Sequence, residues 1–308
     1  MSEGTVPHIS VVVPVYGSDQ VLKELYQRTA AALEKITPHF ECIFVNDASP
    51  DKAWQVIQEL AAANPRVRGI NLSRNFGQYP AITAGLAASR GEWVIVMDCD
   101  LQDVPEEIET MYRKAQEGYF VVVGSRQERH DGQLRLFVSW AFYLTMSYLT
   151  GRHHDRTLAN FGVYHRKVIN AILSLKDHMR YFSVMVRWVG FRSATVPVKY
   201  GQRKGGKSGY SLVKLFSLAT DIALAYSEKP LRIIVKIGVA VSLVALVYLL
   251  VILIGGGSGT SAALHILTGS LWLVFGLLAT FLGIIALYLG KTFEETKKRP
   301  IYIVQDEI

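Results

Sequence analysis

The sequence predicts an α/β chain, a parallel sheet covered by helices on both faces, followed by a pair of membrane-spanning helices. Three features lead there. Short apolar runs alternate with helical patterns from residue 8 to residue 124. Two long charge-free apolar runs lie near the C-terminus. One apolar run, Val94 to Met97, ends abruptly in Asp98, Asp100 and Asp103.

Taken in order, residues 8–15 read as a first strand, apolar on both faces, and Tyr16-Gly17-Ser18 turns into a helix over 19–35. Glu41 to Asn46 is a second strand. Ser49-Pro50 supplies an N-cap and a first-turn proline for a helix over 51–63. Val67 to Leu72 is a strand, Tyr79 to Ser89 a helix, Glu92 to Met97 a strand, Pro105 to Gln116 a helix and Tyr119 to Gly124 a strand. Beyond residue 126 this rhythm fades. Residues 133–150 read as helical and aromatic-rich, 166–188 as one or two helices, and 192–200 as a strand.

In such sheets ligands bind beyond the carboxyl ends of the strands. Tyr16, Asn46-Asp47, Ser73-Arg74-Asn75, Asp98 with Asp100, and Ser125-Arg126 all gather at those ends. A buried sheet needs no acids or arginines there, so the clustering points to a site. In extended chain Asp98 and Asp100 point to one side and repel unless a cation sits between them. Mg²⁺ is usually held by one or two carboxylates plus substrate phosphates.

The 308 residues leave room for one large domain or two small ones. Hydrophobic content is 50%, high for a chain with no membrane part. The net charge of +7 suits anionic lipid headgroups or phosphorylated substrates. Lys/Arg-dense tracts with interleaved aromatics do not occur, so nucleic acid is not an expected partner. Cys42 and Cys99 make neither a disulfide framework nor a zinc site, and the Cys99 thiol should point away from the two aspartates into the core. Residues 1–7 hold no signal segment, which predicts a cytosolic N-terminal domain.

Gly201-Gln202-Arg203-Lys204-Gly205-Gly206-Lys207-Ser208 fits the phosphate-loop pattern G-x-x-x-x-G-K-S/T. It follows the sheet, however, and precedes membrane segments, with no later strand to supply a magnesium-binding acid. Beside a membrane, a basic glycine-rich loop can instead hold a lipid phosphate. Residues 211–227 show helical spacing with a wide apolar face, which suits an interfacial helix or an ordinary packed one. Ile237 to Ile254 and Ile266 to Gly290 carry no charge and are long enough to span a bilayer. Lys229, Arg232 and Lys236 precede the first run, and Lys291, Lys297, Lys298 and Arg299 follow the second, which predicts both ends in the cytoplasm. The tail 291–308 is short and mixed in charge.

Val11-Val12-Val13-Pro14-Val15-Tyr16, Asn46-Asp47-Ala48-Ser49-Pro50-Asp51, Ser73-Arg74-Asn75-Phe76-Gly77-Gln78, Met97-Asp98-Cys99-Asp100-Leu101-Gln102-Asp103 and Lys229-Pro230-Leu231-Arg232 occur in that order. Together they resemble the polyprenyl-phosphate glycosyltransferases of glycosyltransferase family 2. That group includes dolichol-phosphate mannose synthases, bactoprenol glucosyltransferases and the undecaprenyl-phosphate aminoarabinose transferase, and the resemblance covers nearly the whole chain.

The resemblance implies a nucleotide-sugar-binding GT-A domain over residues 1–209, in the cytoplasm. An interfacial amphipathic helix over 210–229, two transmembrane helices at about 233–255 and 266–290, and a cytoplasmic tail over 291–308 would follow. It implies that Asp98, Asp100 and Gln102 bind Mg²⁺ or Mn²⁺, and that Pro14, Tyr16, Asn46 and Asp47 hold base and ribose, with Arg74 a further binding residue. Arg126, and Arg135 with Ser139, would contact donor and acceptor phosphates, and Arg203 and Lys207 would lie in the membrane-side basic loop. Asp98, Asp100, Arg126 and Arg135 would carry catalysis.

The implied reaction is metal-dependent, inverting transfer of a sugar from a nucleotide diphosphate sugar, expected to be a UDP-sugar, to a polyprenyl phosphate, expected to be undecaprenyl phosphate. The product would serve cell-envelope glycan modification. The enzyme would be a multi-pass protein of the inner membrane and a homo-oligomer. The chain departs from the family pattern at Gly17-Ser18, Asn46, Asn160, Gly162 and Gly206-Lys207-Ser208. A non-catalytic membrane-anchored scaffold that binds nucleotide sugar or lipid phosphate is the alternative. A P-loop phosphotransferase and a processive polysaccharide synthase are further rivals, the latter disfavoured by having only two spans.

Overall fold

A computed structural model describes residues 6–126, 158–199 apart from 176, 178 and 179, residue 201, and, with gaps, 267–308. The chain forms two compact units. The first comprises Met1–Asp131, Asp155–Gly209 and Arg299–Ile308; the second comprises Gly132–His154 and Tyr210–Lys298.

The first unit runs β1 (Ile9–Val15), α1 (Leu22–Glu34), β2 (Phe40–Asn46), α2 (Ala53–Ala63), β3 (Val67–Leu72), α3 (Gln78–Ala88) and β4 (Trp93–Val96). A 3₁₀ turn (Pro105–Glu107) then leads into α4 (Ile108–Ala115), followed by β5 (Val121–Arg126). After residue 157 come β6 (Leu158–His165), α5 (Arg166–Ser174), α6 (Phe182–Trp188), β7 (Ser193–Val198) and β8 (Val304–Glu307). The strands form one sheet in the order β7-β5-β6-β4-β1-β2-β3-β8.

Every residue of β1, β2 and β4 is buried, as their largely apolar, unalternating runs predict, and Ser10, Glu41 and Asn46 are buried with them. Period-two geometry divides β1 between two cores. Val11, Val13 and Val15 pack with α1, α2 and α4. Val12 packs with α3, α5 and α6. Helices therefore cover both faces, as predicted.

The sheet is mixed, however, rather than purely parallel. Strand β6 runs antiparallel between β4 and β5, and β8 runs antiparallel along β3. Strand β8 has the sequence Val-Gln-Asp-Glu, and all four residues are exposed. Its pairing is imposed by the open edge of β3 rather than by hydrophobic patterning.

The start of α2 differs as well. The side chain that receives the Ala53 N–H is Asp51, at 3.0 Å. Ser49 instead donates its hydroxyl to Asp51 and accepts the Gly17 N–H. The helices expected over 133–150 and 211–227, and the apolar run 237–254, lie outside the described residues.

In the second unit, residues 281–286 and 288–290 are helical. Leu267, Leu271, Val274, Leu278, Leu282, Ile285 and Leu289 are all exposed, at three- and four-residue spacings. Among the described residues no helix is long and apolar enough to cross a membrane.

The order of the central strands places the site. The chain steps outward from β1 to β2 to β3, then returns with β4 on the other flank of β1. That reversal opens a crevice beyond the carboxyl ends of β1 and β4, where doubly wound sheets bind ligands. The β1–β4 ladder ends at Val12↔Val96, and Met97 N–H donates to the Val12 carbonyl. Pro14 has no N–H with which to extend it. On the opposite side β1 stays joined to β2, through the Asp47 N–H and the Val15 carbonyl at 3.0 Å.

Candidate active site

Where β4 ends, the chain turns sharply. The Asp98 N–H donates to Asp103 Oδ2 at 2.9 Å, and the Gln102 N–H donates to Asp100 Oδ1 at 3.1 Å. Between them Leu101 takes φ 62, a left-handed conformation that costs a leucine about 1 kcal/mol. Its side chain is buried. Backbone strain of this kind is concentrated at functional loops. Asp103 is 2% exposed and Asp100 8% exposed, while Asp98 is half-buried. Gln78, the first residue of α3, donates its amide to Asp98 Oδ1 at 2.7 Å. The Cys99 thiol is buried in the core beneath the loop, as its alternation predicts. Burial pushes this thiol up to about 11, against hydrogen bonds to Ser18 and the Tyr16 backbone.

On the flank of β2, Asn46 and Asp47 are each 3% exposed. Asp47 Oδ1 accepts the Phe76 N–H at 2.7 Å and Oδ2 the Gly77 N–H at 2.8 Å. Both oxygens thus hold the loop that enters α3, so Asp47 shapes the crevice wall from within the protein. Burial raises its carboxyl above the ordinary range, although the two N–H donors and Arg74 oppose this. Asn46 accepts the Ser49 N–H and donates to Asn71. Pro14 is buried in β1, and Tyr16, just past it, is 53% exposed. Arg74 is exposed and stacks over the Phe76 ring at 4.1 Å.

The basic loop begins at the acidic one. Gly201 donates its N–H to the Gln102 carbonyl at 2.8 Å. A Cβ at this position would meet the Leu101 carbonyl oxygen at 2.5 Å, so only glycine lets the two backbones approach so closely. Arg126 ends β5, in register with Val198. Arg135, Ser139, Arg203 and Lys207 lie outside the described residues. Asn160 lies on β6; carried two residues beyond Val96↔Gly162, the register would set it opposite Asp98. The departure at Gly162 has a packing reason. A Cβ there would come within 2.6 Å of the buried Tyr164 hydroxyl and 2.9 Å of the Val122 carbonyl oxygen.

Asp103, Gln78 and Gly201 hold the acidic loop and were not among the predicted site residues. The spacing Asp98-x-Asp100-x-x-Asp103 carried the signal for the first. The other two depend on contacts distant in sequence.

Among the described residues, no group of three His, Cys, Asp or Glu is placed to hold a metal ion. Two carboxylates at a crevice are instead the donor set of a hard cation that completes its shell with phosphate oxygens. Asp98 and Asp100, oxygen donors just past the end of β4, are of the kind such a cation would need.

A profile described as "Glycosyl transferase family 2" matches residues 10–173. The chain is 33% identical over 303 residues to an uncharacterized glycosyltransferase, YkcC, of Bacillus subtilis, covering 96% of this chain and 93% of that protein. It is 31% identical over 310 residues to the undecaprenyl-phosphate 4-deoxy-4-formamido-L-arabinose transferase of Edwardsiella ictaluri, covering 99% and 95%. The crystal structure of glucosyl-3-phosphoglycerate synthase from Mycobacterium tuberculosis, in complex with Mn²⁺, uridine diphosphate and phosphoglyceric acid, matches with TM-score 0.51 at 14% identity, over 71% of this chain and 77% of that one. That likeness concerns the fold, a GT-A-like α/β sheet. With the family profile spanning the strands that build the crevice, and relatives matched along nearly their full length, the chain belongs to glycosyltransferase family 2 and is an enzyme of that family.

Proposed function

We propose that this enzyme transfers a sugar from a nucleotide diphosphate sugar, with a UDP-sugar the expected donor, to undecaprenyl phosphate or a similar polyprenyl phosphate, with inversion at the anomeric carbon. The observation that carries this reading is the hydrogen bond from Gly201 to Gln102, because it starts the basic glycine loop at the aspartate loop. One loop suits a cation with a diphosphate and the other suits a lipid phosphate. The acceptor named for the Edwardsiella relative supports the same choice.

In this reading Tyr16 and Arg74 form the nucleotide side of the crevice, with the buried Asn46 and Asp47 bracing its wall. Mg²⁺ or Mn²⁺ bound by Asp98 and Asp100, with Gln102 alongside, would offset the charge that collects on the departing diphosphate. Asp103 and Gln78 hold Asp98 in place before substrate arrives, so orientation is settled in advance. Arg126, Arg135 with Ser139, Arg203 and Lys207 gather two anionic substrates that otherwise repel. The acceptor oxygen is already ionised at neutral pH, so attack on the anomeric carbon needs no strong base. An asparagine at position 160 is compatible with that.

We place the enzyme in the cytoplasmic membrane, with a C-terminal helical hairpin spanning the bilayer and the sugar-transfer domain on the cytoplasmic side. The exposed aliphatic face from Leu267 to Leu289 supports this, since such a surface on a solvated protein would be an aggregation hazard. Strand β8 supports it too. The chain leaves the first unit after Gly209 and returns at Arg299 to pair with β3, so any crossings between them are even in number.

The test is a panel of UDP-, GDP- and dTDP-sugars, radiolabelled in the sugar, supplied with undecaprenyl phosphate to membranes containing the enzyme. Label should enter the organic-extractable lipid with one donor class. Failure of every donor, with bound nucleotide still detected, would favour the scaffold instead.

A further inference from the structure

A chain of side-chain hydrogen bonds runs from the C-terminal strand to the nucleotide side of the crevice. The Ser49 N–H donates to Asn46 Oδ1 at 3.2 Å. Asn46 Nδ2 donates to Asn71 Oδ1 at 2.8 Å. Asn71 Nδ2 donates to Asp306 Oδ2 at 3.0 Å, and Asn71 and Asp306 are paired across β3 and β8.

Every link in this chain points the same way, and its ends impose the direction. A backbone N–H can only donate, and an ionised carboxylate can only accept. A carboxamide between them can turn over, exchanging donor for acceptor at little steric cost. With Asp306 as the final acceptor, Asn71 must present its NH₂ to β8 and its oxygen to Asn46. Asn46 must then present its NH₂ to Asn71 and its oxygen to Ser49. Ser49 in turn holds Gly17, next to Tyr16, through its hydroxyl. Asp306 is therefore joined to both loops that flank the nucleotide side.

We propose that Asp306 is a positioning residue for nucleotide-sugar binding, setting through Asn71 the direction of the Asn46 amide at the carboxyl end of β2. This rests on the reading that this end of the crevice takes the nucleotide. It gives the C-terminal segment a role in donor binding as well as in closing the sheet edge. Strand β8 does not depend on Asp306 for its place. Arg68 pairs with Glu307 at 2.6 Å, Gly69 and Ile308 exchange two backbone hydrogen bonds, and Ser73 N–H donates to the Ile303 carbonyl.

The experiment uses the full chain carrying Asp306→Ala, Asp306→Asn or Asp306→Lys. Two readouts are taken: donor KM against kcat, and hydrogen exchange of the Ser49 amide. Asp306→Ala should raise donor KM about three- to tenfold, the scale of one hydrogen bond, with kcat within about twofold. Asp306→Lys should be at least as damaging, because it offers a donor where an acceptor is needed. Asp306→Asn should stay near wild type, because its carbonyl can still accept. Ser49 exchange should quicken in the alanine and lysine variants and not in the asparagine variant.

Equal effects of all three substitutions would overturn the proposal in favour of simple loss of strand packing. So would unchanged KM and Ser49 exchange in the alanine variant. If Asp306→Lys fails to fold, the alanine–asparagine pair still decides. If wild-type enzyme turns over no nucleotide sugar, the functional reading fails, while Ser49 exchange alone still judges the relay.

Discussion

At the N-terminal end of the central strands Glu41 is 3% exposed, with Ser10, the Arg90 backbone and side chain, and Arg68 around its carboxylate. At the carboxyl end Asp47, Asp98, Asp100 and Asp103 receive amide N–H groups from Phe76, Gly77, Gln78, Gln102 and the Asp98 backbone. Burial lifts the Glu41 carboxyl, but Ser10, Arg90 and Arg68 outweigh it and leave the group below its ordinary range. Burial lifts that of Asp47 and its partners do not outweigh it. Guanidinium groups lock one end of the sheet. At the other end amide N–H groups are among the contacts that shape the acids, and there the cation proposed above would bind.

The contrast breaks most visibly at Asp100. Asp100→Ala should lower sugar transfer at least about 10³-fold, with thermal stability little changed, as measured by lipid-linked product and calorimetry. Full activity at saturating Mg²⁺ would assign Asp100 to the same structural class as Glu41. Gly201→Ala comes next. Its Cβ would press on the Leu101 carbonyl oxygen at 2.5 Å and displace the acidic loop. A fall in kcat of about ten- to 100-fold is expected, since small misplacements near reacting groups are costly.

Glu41→Gln should do the reverse, costing about 1–2 kcal/mol in denaturant unfolding while kcat stays within about twofold. The pH dependence follows from the sign of the shift. The Glu41 carboxyl is depressed in the folded state, so its contribution is complete above its unfolded pKa, near the ordinary 4.5, and is lost as pH falls through the lower folded value. Glu41→Gln should flatten that acid limb. Asp47 has the opposite sign: its shift favours folding below its unfolded pKa, near 3.8, and that benefit fades as pH rises through the higher folded value. The smallest effect belongs to Cys99. With its thiol up at about 11, iodoacetamide at pH 8 should leave folded enzyme unlabelled and fully active.

The buried strands were legible because runs such as Ile-Ser-Val-Val-Val-Pro-Val have no solvent face to encode. The aspartate loop was legible because three acids follow directly on an apolar run, although the part Asp103 and Asp100 play in accepting the loop's own N–H groups was not. Strand β8 was not, since Val-Gln-Asp-Glu looks like any polar tail until the edge of β3 is present to receive it. Strand β6 was hidden by Gly162, whose lack of side chain weakens a strand pattern but accommodates Tyr164. Asp47 stood out in the sequence as an acid at a strand end, but its use in holding the Phe76–Gly77 turn depends on tertiary placement.

The most direct test of a cation shared between protein and substrate is Mn²⁺ binding, followed by electron paramagnetic resonance on the full-length enzyme. Two carboxylates alone should bind Mn²⁺ weakly. Adding the nucleoside diphosphate of the active donor should tighten binding at least about tenfold, and Asp100→Ala should abolish that gain. Tight Mn²⁺ binding that ignores both the nucleotide and the substitution would contradict the assignment of Asp98 and Asp100.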